Sequence, residues 1–483
     1  MRQEPLRYKL SIFLTLVIGI LMFQSVLFPS GFLIKENYMQ GDLEGVNASD
    51  FSVLPYTIHI NGNWSDTEST YDWCTGSGTW YDPYLIENVA IDAQNSGSCI
   101  FIENTDDYFI IHNCTVINGE ASGGSAGIKL INVSNGTITQ NSMTENYIGI
   151  YLTSGENISI IDNDIIDNPG QGIILFHSSE NFVLNNNQTG SHYYGLFINA
   201  DSNNNTVRGN TFQKNTGVAT YGEGIKILNS QFNNIIKNIL VDNDKGIRIE
   251  RDSNNNTVKQ NTITSNSEYG AFIIANPLNS TDNLFYLNYF DNPAYNAYDN
   301  GTDTLWDDGS IGNYWSDYSG TDANGDGIGD TPYILPGNGT GIDHFPIWDI
   351  AAPVITILEP LNNSRYNITA PAYSISIVEP NLDTYYYIIS GSSGDYLRII
   401  NSLTGSIDQT LWDSLPAGTY TLTIYANDTF EHLGSTSITI IKEILPSSPP
   451  AIPFGSFYLI LATISVATIL TSIRLKLKLK RQV

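Results

Sequence analysis

The sequence predicts an all-β chain: a right-handed parallel β-helix, then an immunoglobulin-like β-sandwich, with transmembrane helices at the termini. Three observations carry that prediction. A glycine-led motif recurs through the middle of the chain, the apolar residues inside each copy alternate, and two long uncharged segments bracket everything else.

The glycines are Gly127, Gly149, Gly172, Gly195, Gly224, Gly246 and Gly270, mostly 22–24 residues apart. A fixed period of that length marks a solenoid in which each copy is one coil. Within the copies the apolar residues follow the two-residue period of a strand. One column runs Ile100, Ile128, Ile150, Ile173, Leu196, Ile225, Ile247, and the next Ile102, Leu130, Leu152, Leu175, Ile198, Ile227, Ile249. Leucine-rich repeats share the period but need a leucine grammar that is missing here. About eight coils at ~4.8 Å each make a rod of roughly 35 Å. A second landmark is the asparagine at 113, 141, 163, 186, 210, 238, 261 and 288. At a tight turn its amide can bond the amide one coil on, so one ladder of asparagines is expected. Asn256 is placed outside it, in an outer loop.

The remaining segments follow in order. Residues 1–36 form a signal peptide or signal anchor: Arg7 and Lys9 precede an uncharged stretch over 10–34, and no cleavage site decides between the two. Residues 37–97 cap the rod, and 98–350 contain it with an acidic C-terminal loop. The sandwich occupies 351–443, with strands expected at Val354–Leu358, Tyr373–Ile377, Thr384–Ser390, Tyr396–Asn401 and Tyr420–Ala426. A Pro-rich linker, 444–453, leads to an uncharged helix at 454–473. The basic tail 474–483 is expected to stay in the cytoplasm, which places the ectodomain outside the cell. N-x-S/T sequons from Asn47 to Asn427, none in the tail, agree with glycosylation of such an ectodomain.

Charge excludes one class of partner. The whole chain carries 49 acidic against 21 basic residues, and eight of the basic ones lie in the two ends. Nucleic acid needs a basic surface and is excluded as a partner. The three cysteines, Cys74, Cys99 and Cys114, cannot staple a chain of this length; Cys74 with Cys99 is the expected pair outside the cell.

The copies, such as Gly149-Ile-Tyr-Leu-Thr-Ser-Gly-Glu-Asn-Ile-Ser-Ile-Ile-Asp-Asn163, resemble the repeat of the right-handed β-helix superfamily of carbohydrate-binding proteins and sugar hydrolases. Within it they are similar to the NosD-type branch, named for periplasmic proteins of copper-enzyme maturation. Gly312-Asn-Tyr-Trp-Ser-Asp-Tyr318, the run Asp322–Tyr333, and Gly76-Ser-Gly-Thr79 with Asp82-Pro-Tyr84 and Ile86-Glu87 carry the same resemblance, over about residues 54–347. It implies the fold; the superfamily holds enzymes, binders and structural proteins alike.

Two places can carry chemistry. In Asp322-x-Asn324-x-Asp326-Gly-Ile328-x-Asp330, oxygen donors alternate, with Ile328 offering its carbonyl. That is the pattern of a structural Ca2+ loop; Tyr333 stands where an EF-hand needs Glu, and an Asx-turn without metal is the alternative. The other place is the outward column between the two core columns: Phe101, Lys129, Tyr151, Ile174, Phe197, Lys226, Arg248, Phe272. Rings stack on sugar faces and cations pair with carboxylated sugars. Lys129, Tyr151, Phe197, Lys226 and Arg248 are the candidate ligand-binding residues, the last two facing an acidic glycan with side chains outside the core.

No catalytic residue is assigned. A lyase or hydrolase would require an acid pair on one strand face, and the cluster Asp162, Asp164, Asp167 falls in the turns. Copper needs clustered soft ligands, whereas Met143 is a core residue and His112, His177 and His192 fall in different columns. The expected protein is a membrane-anchored, single- or two-pass surface protein for display or adhesion, binding polysaccharide or a surface glycoprotein. A carbohydrate-active enzyme is the alternative, and a copper-related periplasmic role a further one.

Overall fold

The computed structural model describes residues 52–443 apart from 55, 122–123, 218–220, 276–279, 340, 349–350, 380–381, 393 and 429–431, together with 470–472 and 474. The expected leader, linker, membrane helix and tail fall outside the described residues, save those last four positions. Among the described residues no helix is long and apolar enough to cross a membrane. Two compact units divide the chain at Ala352–Pro353.

The first unit is a parallel β-solenoid of three sheets. A ten-stranded sheet of longer strands runs from Ile58–Asn61 to Tyr295–Asp299; below it is called the long-strand sheet. An eleven-stranded sheet runs from Ser52–Leu54 to Tyr314–Trp315. The third, of ten strands, reaches Leu284–Tyr286, and its one antiparallel member is Cys74–Thr75 beside Tyr84–Glu87. The long-strand sheet is deeper than the eight coils expected, because Ile58–Asn61 and Tyr295–Asp299 lack the glycine landmark. Both predicted core columns hold in register, Ile150 beside Ile128 and Ile173, Leu152 beside Leu130 and Leu175, with no side chain in them exposed.

The glycine column has a steric cause. A Cβ on Gly149, Gly172, Gly195 or Gly246 would lie 2.5–2.6 Å from the carbonyl oxygen of the next coil's glycine. Any side chain there would push neighbouring coils apart.

Among the described residues the asparagines form three ladders of four or more members rather than one. The predicted ladder begins at Asn141, not Asn113, because buried Cys114 fills the stacked place one coil earlier: its backbone N–H donates to Asn141 Oδ1. From Asn141 each residue donates its N–H and Nδ2 to the next Oδ1, through Asn163, Asn186, Asn210, Asn238, Asn261 and Asn288 to Asn313. A second runs Asn181, Asn205, Asn233, Asn256, Asn283. A third joins Asn215, Asn243, Asn266 and Asn292. The placing of Asn256 in an outer loop is therefore corrected: its side chain is fully buried.

Tryptophans close both ends of the rod. Trp64, on the short helix Trp64–Thr70, stacks on Tyr84 at 5.0 Å. At the far end Trp306 stacks on Phe285 and Trp315 lies between Phe290 and Tyr333. The Gly312–Tyr318 motif is thus an end plug. Asp343 ends the first ladder, Oδ2 accepting from Asn313 N at 2.7 Å and Trp315 Nε1 at 2.8 Å.

The second unit has a three-stranded and a five-stranded sheet around one core that includes Ile375, Tyr387, Trp412, Leu422 and Ile440. All five expected strands are present. Leu433–Lys442, Ser364–Tyr366 and the helix Gln409–Ser414 add to them.

Candidate functional site

The outward column falls where the alternation puts it. Phe101, Lys129, Tyr151, Ile174, Phe197, Lys226, Arg248 and Phe272 are cross-strand neighbours in unbroken register, extended by His59 before and Tyr298 after. The column makes three local groups.

At the N-terminal end His59 stacks on Phe101, centroids 4.5 Å apart. The Lys129 ammonium lies 5.4 Å from the Phe101 ring and 5.6 Å from that of Tyr151, near enough for cation–π attraction.

In the middle the two candidate cations are not available to a ligand as expected. Lys226 Nζ pairs with Glu250 at 3.0 Å, while Arg248 bonds Glu223 at 3.0 Å and Glu250 through its other terminal nitrogen. Lys245 pairs with Glu268 at 2.7 Å. Three cations meet three carboxylates, and the cluster is neutral. Lys226 is 7% exposed, Glu250 6% and Glu223 not at all. Burial pushes the Glu223 carboxyl up against the pull of Lys226 and Arg248. For Glu250 burial pushes the same way, but the two cations outweigh it and the net shift is down. Burial lowers the Lys226 ammonium despite Glu250. The expectation that Lys226 and Arg248 face an acidic glycan is corrected: intramolecular carboxylates already neutralise them.

Sequence reasoning missed Glu223, Lys245 and Tyr194 for a definite reason. Strict alternation from Ile225 places Glu223 inside. The chain bends at the landmark glycine, and the residue before it turns onto the outer face: Glu223 reaches Arg248, and Lys226 Nζ lies 5.0 Å from the Tyr194 ring. The signal was available, since Glu223 and Lys245 stand where alternation assigns a core that does not accept unpaired charge.

Glu223 and Glu250 also place two carboxylates on one strand face, the arrangement the enzyme alternative requires. Both are held by one guanidinium and closed to solvent, so neither reaches a sugar oxygen in this geometry. Asp162, Asp164 and Asp167 do not gather: Asp164 lies on the strand Asp164–Ile166, accepting from Asn187 at 3.0 Å, and the other two occupy left-handed turn positions.

At the C-terminal end four rings cluster. Tyr269 stacks on Phe272 at 4.5 Å and on Tyr295 at 5.3 Å, and Tyr298 meets Tyr269 and Phe272 at 5.8 Å.

The Asp322–Asp330 loop curls on its own acids. Asp322 accepts from Gly325, Asp326 and Gly327 N–H, Asp326 from Ile328 N–H, and Asp330 from Ala323 N–H. The Cys74–Cys99 disulfide is not formed. All three cysteines are free and buried; Cys74 lies in the sheet of Tyr84–Glu87, whereas Cys99 leads into the long-strand sheet and donates to Ile117 O at 3.3 Å. Burial pushes the three thiols up to about 12.

Residues 84–320 match the family model described as "Periplasmic copper-binding protein (NosD)". The rod is a parallel β-solenoid, and its middle is similar to that family. No curated protein matches the chain. Among solved structures the chain is similar to the A-module of mannuronan C-5 epimerase AlgE6 of Azotobacter vinelandii, at 18% identity and TM-score 0.40, over 47% of this chain and 63% of that one. It is also similar to the periplasmic alginate epimerase AlgG (14%, TM-score 0.30, 52% and 84%). Tailspike protein 2 of Escherichia coli O157:H7 bacteriophage CAB120 is a third (14%, TM-score 0.39, 77% and 62%). The chain spans less than two thirds of the AlgE6 module, and these likenesses are of fold alone.

The copper of the family description does not fit the residues of this rod. Among the described residues no group of three or more His, Cys, Asp or Glu is arranged to hold a metal. Met143 is buried in the core, and the three cysteines are buried and belong to no such group, whereas copper needs clustered soft ligands.

Proposed function

We propose that the protein binds polysaccharide along the outer face of its long-strand sheet and does so at the cell surface, as a display or adhesion protein. The observation that supports this reading is the outward column itself: ten side chains in register at the ~4.8 Å coil spacing, with the rings of Phe101, Tyr151 and Phe197 on alternate coils and those of Phe272 and Tyr298 on neighbouring ones. An extended chain of sugar rings suits such a face, each ring stacking where an aromatic stands.

The sandwich is read as an immunoglobulin-like stalk. Tyr420 Oη donates to Pro416 O at 2.7 Å, the kind of tie that holds the corner of such sandwiches. Ca2+ is proposed at the Asp322–Asp330 loop as a structural ion, through the carboxylates of Asp322, Asp326 and Asp330, Asn324 and the Ile328 carbonyl; these carboxylates are not gathered for a metal in the structure but accept from backbone N–H groups, so the ion would have to draw them together.

The test is retention of the purified full chain on immobilised polysaccharides at physiological salt, with soluble products assayed on any that hold it. Retention that falls in Phe101→Ala and Tyr151→Ala variants with unchanged melting is the expected result. Absence of retention on every polysaccharide removes the reading, and released oligosaccharide products would put the enzyme alternative in its place.

A further inference from the structure

We infer that Tyr269, Phe272, Tyr295 and Tyr298 form a stacking subsite for an uncharged sugar chain, so that the ligand is a neutral rather than an acidic polysaccharide. This rests on the polysaccharide reading above and names the class of ligand within it.

The platform belongs to the last two strands of the long-strand sheet, Tyr269–Ile274 and Tyr295–Asp299, in which Tyr269 faces Tyr295 and Phe272 faces Tyr298. Tyr269 comes to the outer face at the same place before the landmark glycine as Glu223, which lies beside Arg248. The Tyr269 and Phe272 planes are 7° apart, those of Tyr269 and Tyr295 16° apart. Near-parallel stacking orders these rings before any ligand arrives, which lowers the side-chain entropy lost on binding. Tyr295 is 46% exposed and touches the platform through Tyr269 at 5.3 Å and the edge of Tyr298 at 6.3 Å. Its free face can take the C–H face of a pyranose, while its hydroxyl can hydrogen-bond the rim of the sugar, the dual character that makes tyrosine common at binding surfaces.

Charge selects the ligand. Arg248, 5.8 Å from the Phe272 ring, is the cation bordering the platform, and its guanidinium is held by Glu223 and Glu250. Lys245, one coil before Tyr269, is held by Glu268. The border is neutral, and the chain as a whole carries a net charge of −28. A polyuronate would meet repulsion from the molecule, and the two cations that border this platform are already paired with carboxylates. A neutral hexose chain loses nothing to this field, and the stacked rings supply the apolar contact it needs.

The experiment uses the full chain with two sets of soluble oligosaccharides of equal length, neutral hexose chains and uronate chains, titrated calorimetrically. Neutral chains should bind, Tyr295→Ala should weaken them at least tenfold with the melting temperature unchanged, and Tyr295→Phe should retain binding. Preferential binding of uronate chains, lost in Lys129→Ala, would overturn this inference and leave polysaccharide binding intact. Neutral binding indifferent to Tyr295→Ala and to Phe272→Ala would move the subsite off the platform. Binding of neither set would remove the polysaccharide reading and the inference together.

Discussion

Asn238 and Asn256 sit at different turns of the rod and are energetically alike. Each takes two N–H donors on its Oδ1 and passes two to the next coil. Leucine at either position strands those donors in a buried turn, at about 1–3 kcal/mol. Asn187→Leu, losing only an exposed bond to Asp164, should cost well under that. Urea melts of the three variants check this, and a silent Asn256→Leu would contradict the second ladder. The ion cluster makes a second case. Lys226→Glu with Arg248→Glu would gather four carboxylates where the native residues are nearly closed to solvent. Breaking such a pairing costs about 3–5 kcal/mol, so the double variant is expected to melt early instead of serving as a clean binding mutant. Asparagine spacing made the first ladder legible. The second stayed hidden because N-N-N runs, such as Asn254-Asn-Asn256, do not say which member turns inward.

At the scale of elements, the end plug and the acidic loop carry their own predictions. Burial pushes the Asp343 carboxyl up to about 7, against the bonds from Asn313, Trp315 and Phe345. Its folded value lies above the unfolded 3.8. Its contribution to stability is therefore fully present below about pH 4 and is withdrawn as pH rises towards 7. Whatever constant offset Asp343→Asn introduces, that variant should gain on the native chain between pH 5 and pH 8, by at least about 1 kcal/mol in paired denaturant melts. A difference that stays flat with pH would mean the carboxylate is ionised throughout. For the acidic loop, chelation should lower the melting temperature of the first unit's transition, and Asp326→Ala should abolish that response. A melt indifferent to chelator would leave the loop as a set of Asx-turns, whose backbone bonds to Asp322 and Asp326 already hold its shape.

For the whole molecule, the expected orientation is a large ectodomain outside and the basic end Arg474–Val483 inside. Protease added to intact cells should remove the ectodomain and spare a tag at Val483; loss of the tag would reverse the topology. Both compact units should survive such a cut as folded fragments. Each has its own core, centred on the stacked isoleucines in one and on Trp412 and Tyr387 in the other.

The sequence by itself determined the solenoid, its glycine and isoleucine columns, the outward column and five strands of the sheet-rich C-terminal unit. These follow from periodicity, and a period is a property of the chain alone. It did not reveal the partners of Lys226 and Arg248, the thiol state of Cys74 and Cys99, the second and third ladders, or the cluster of rings at Tyr295. Each of those depends on which residues far apart in the sequence come to lie side by side, and the ion cluster and the rings depend also on the residue before the landmark glycine reaching the outer face. Alternation registers neither. Only the folded chain decides that Glu223 stands outside beside Arg248 rather than inside beneath Ile225.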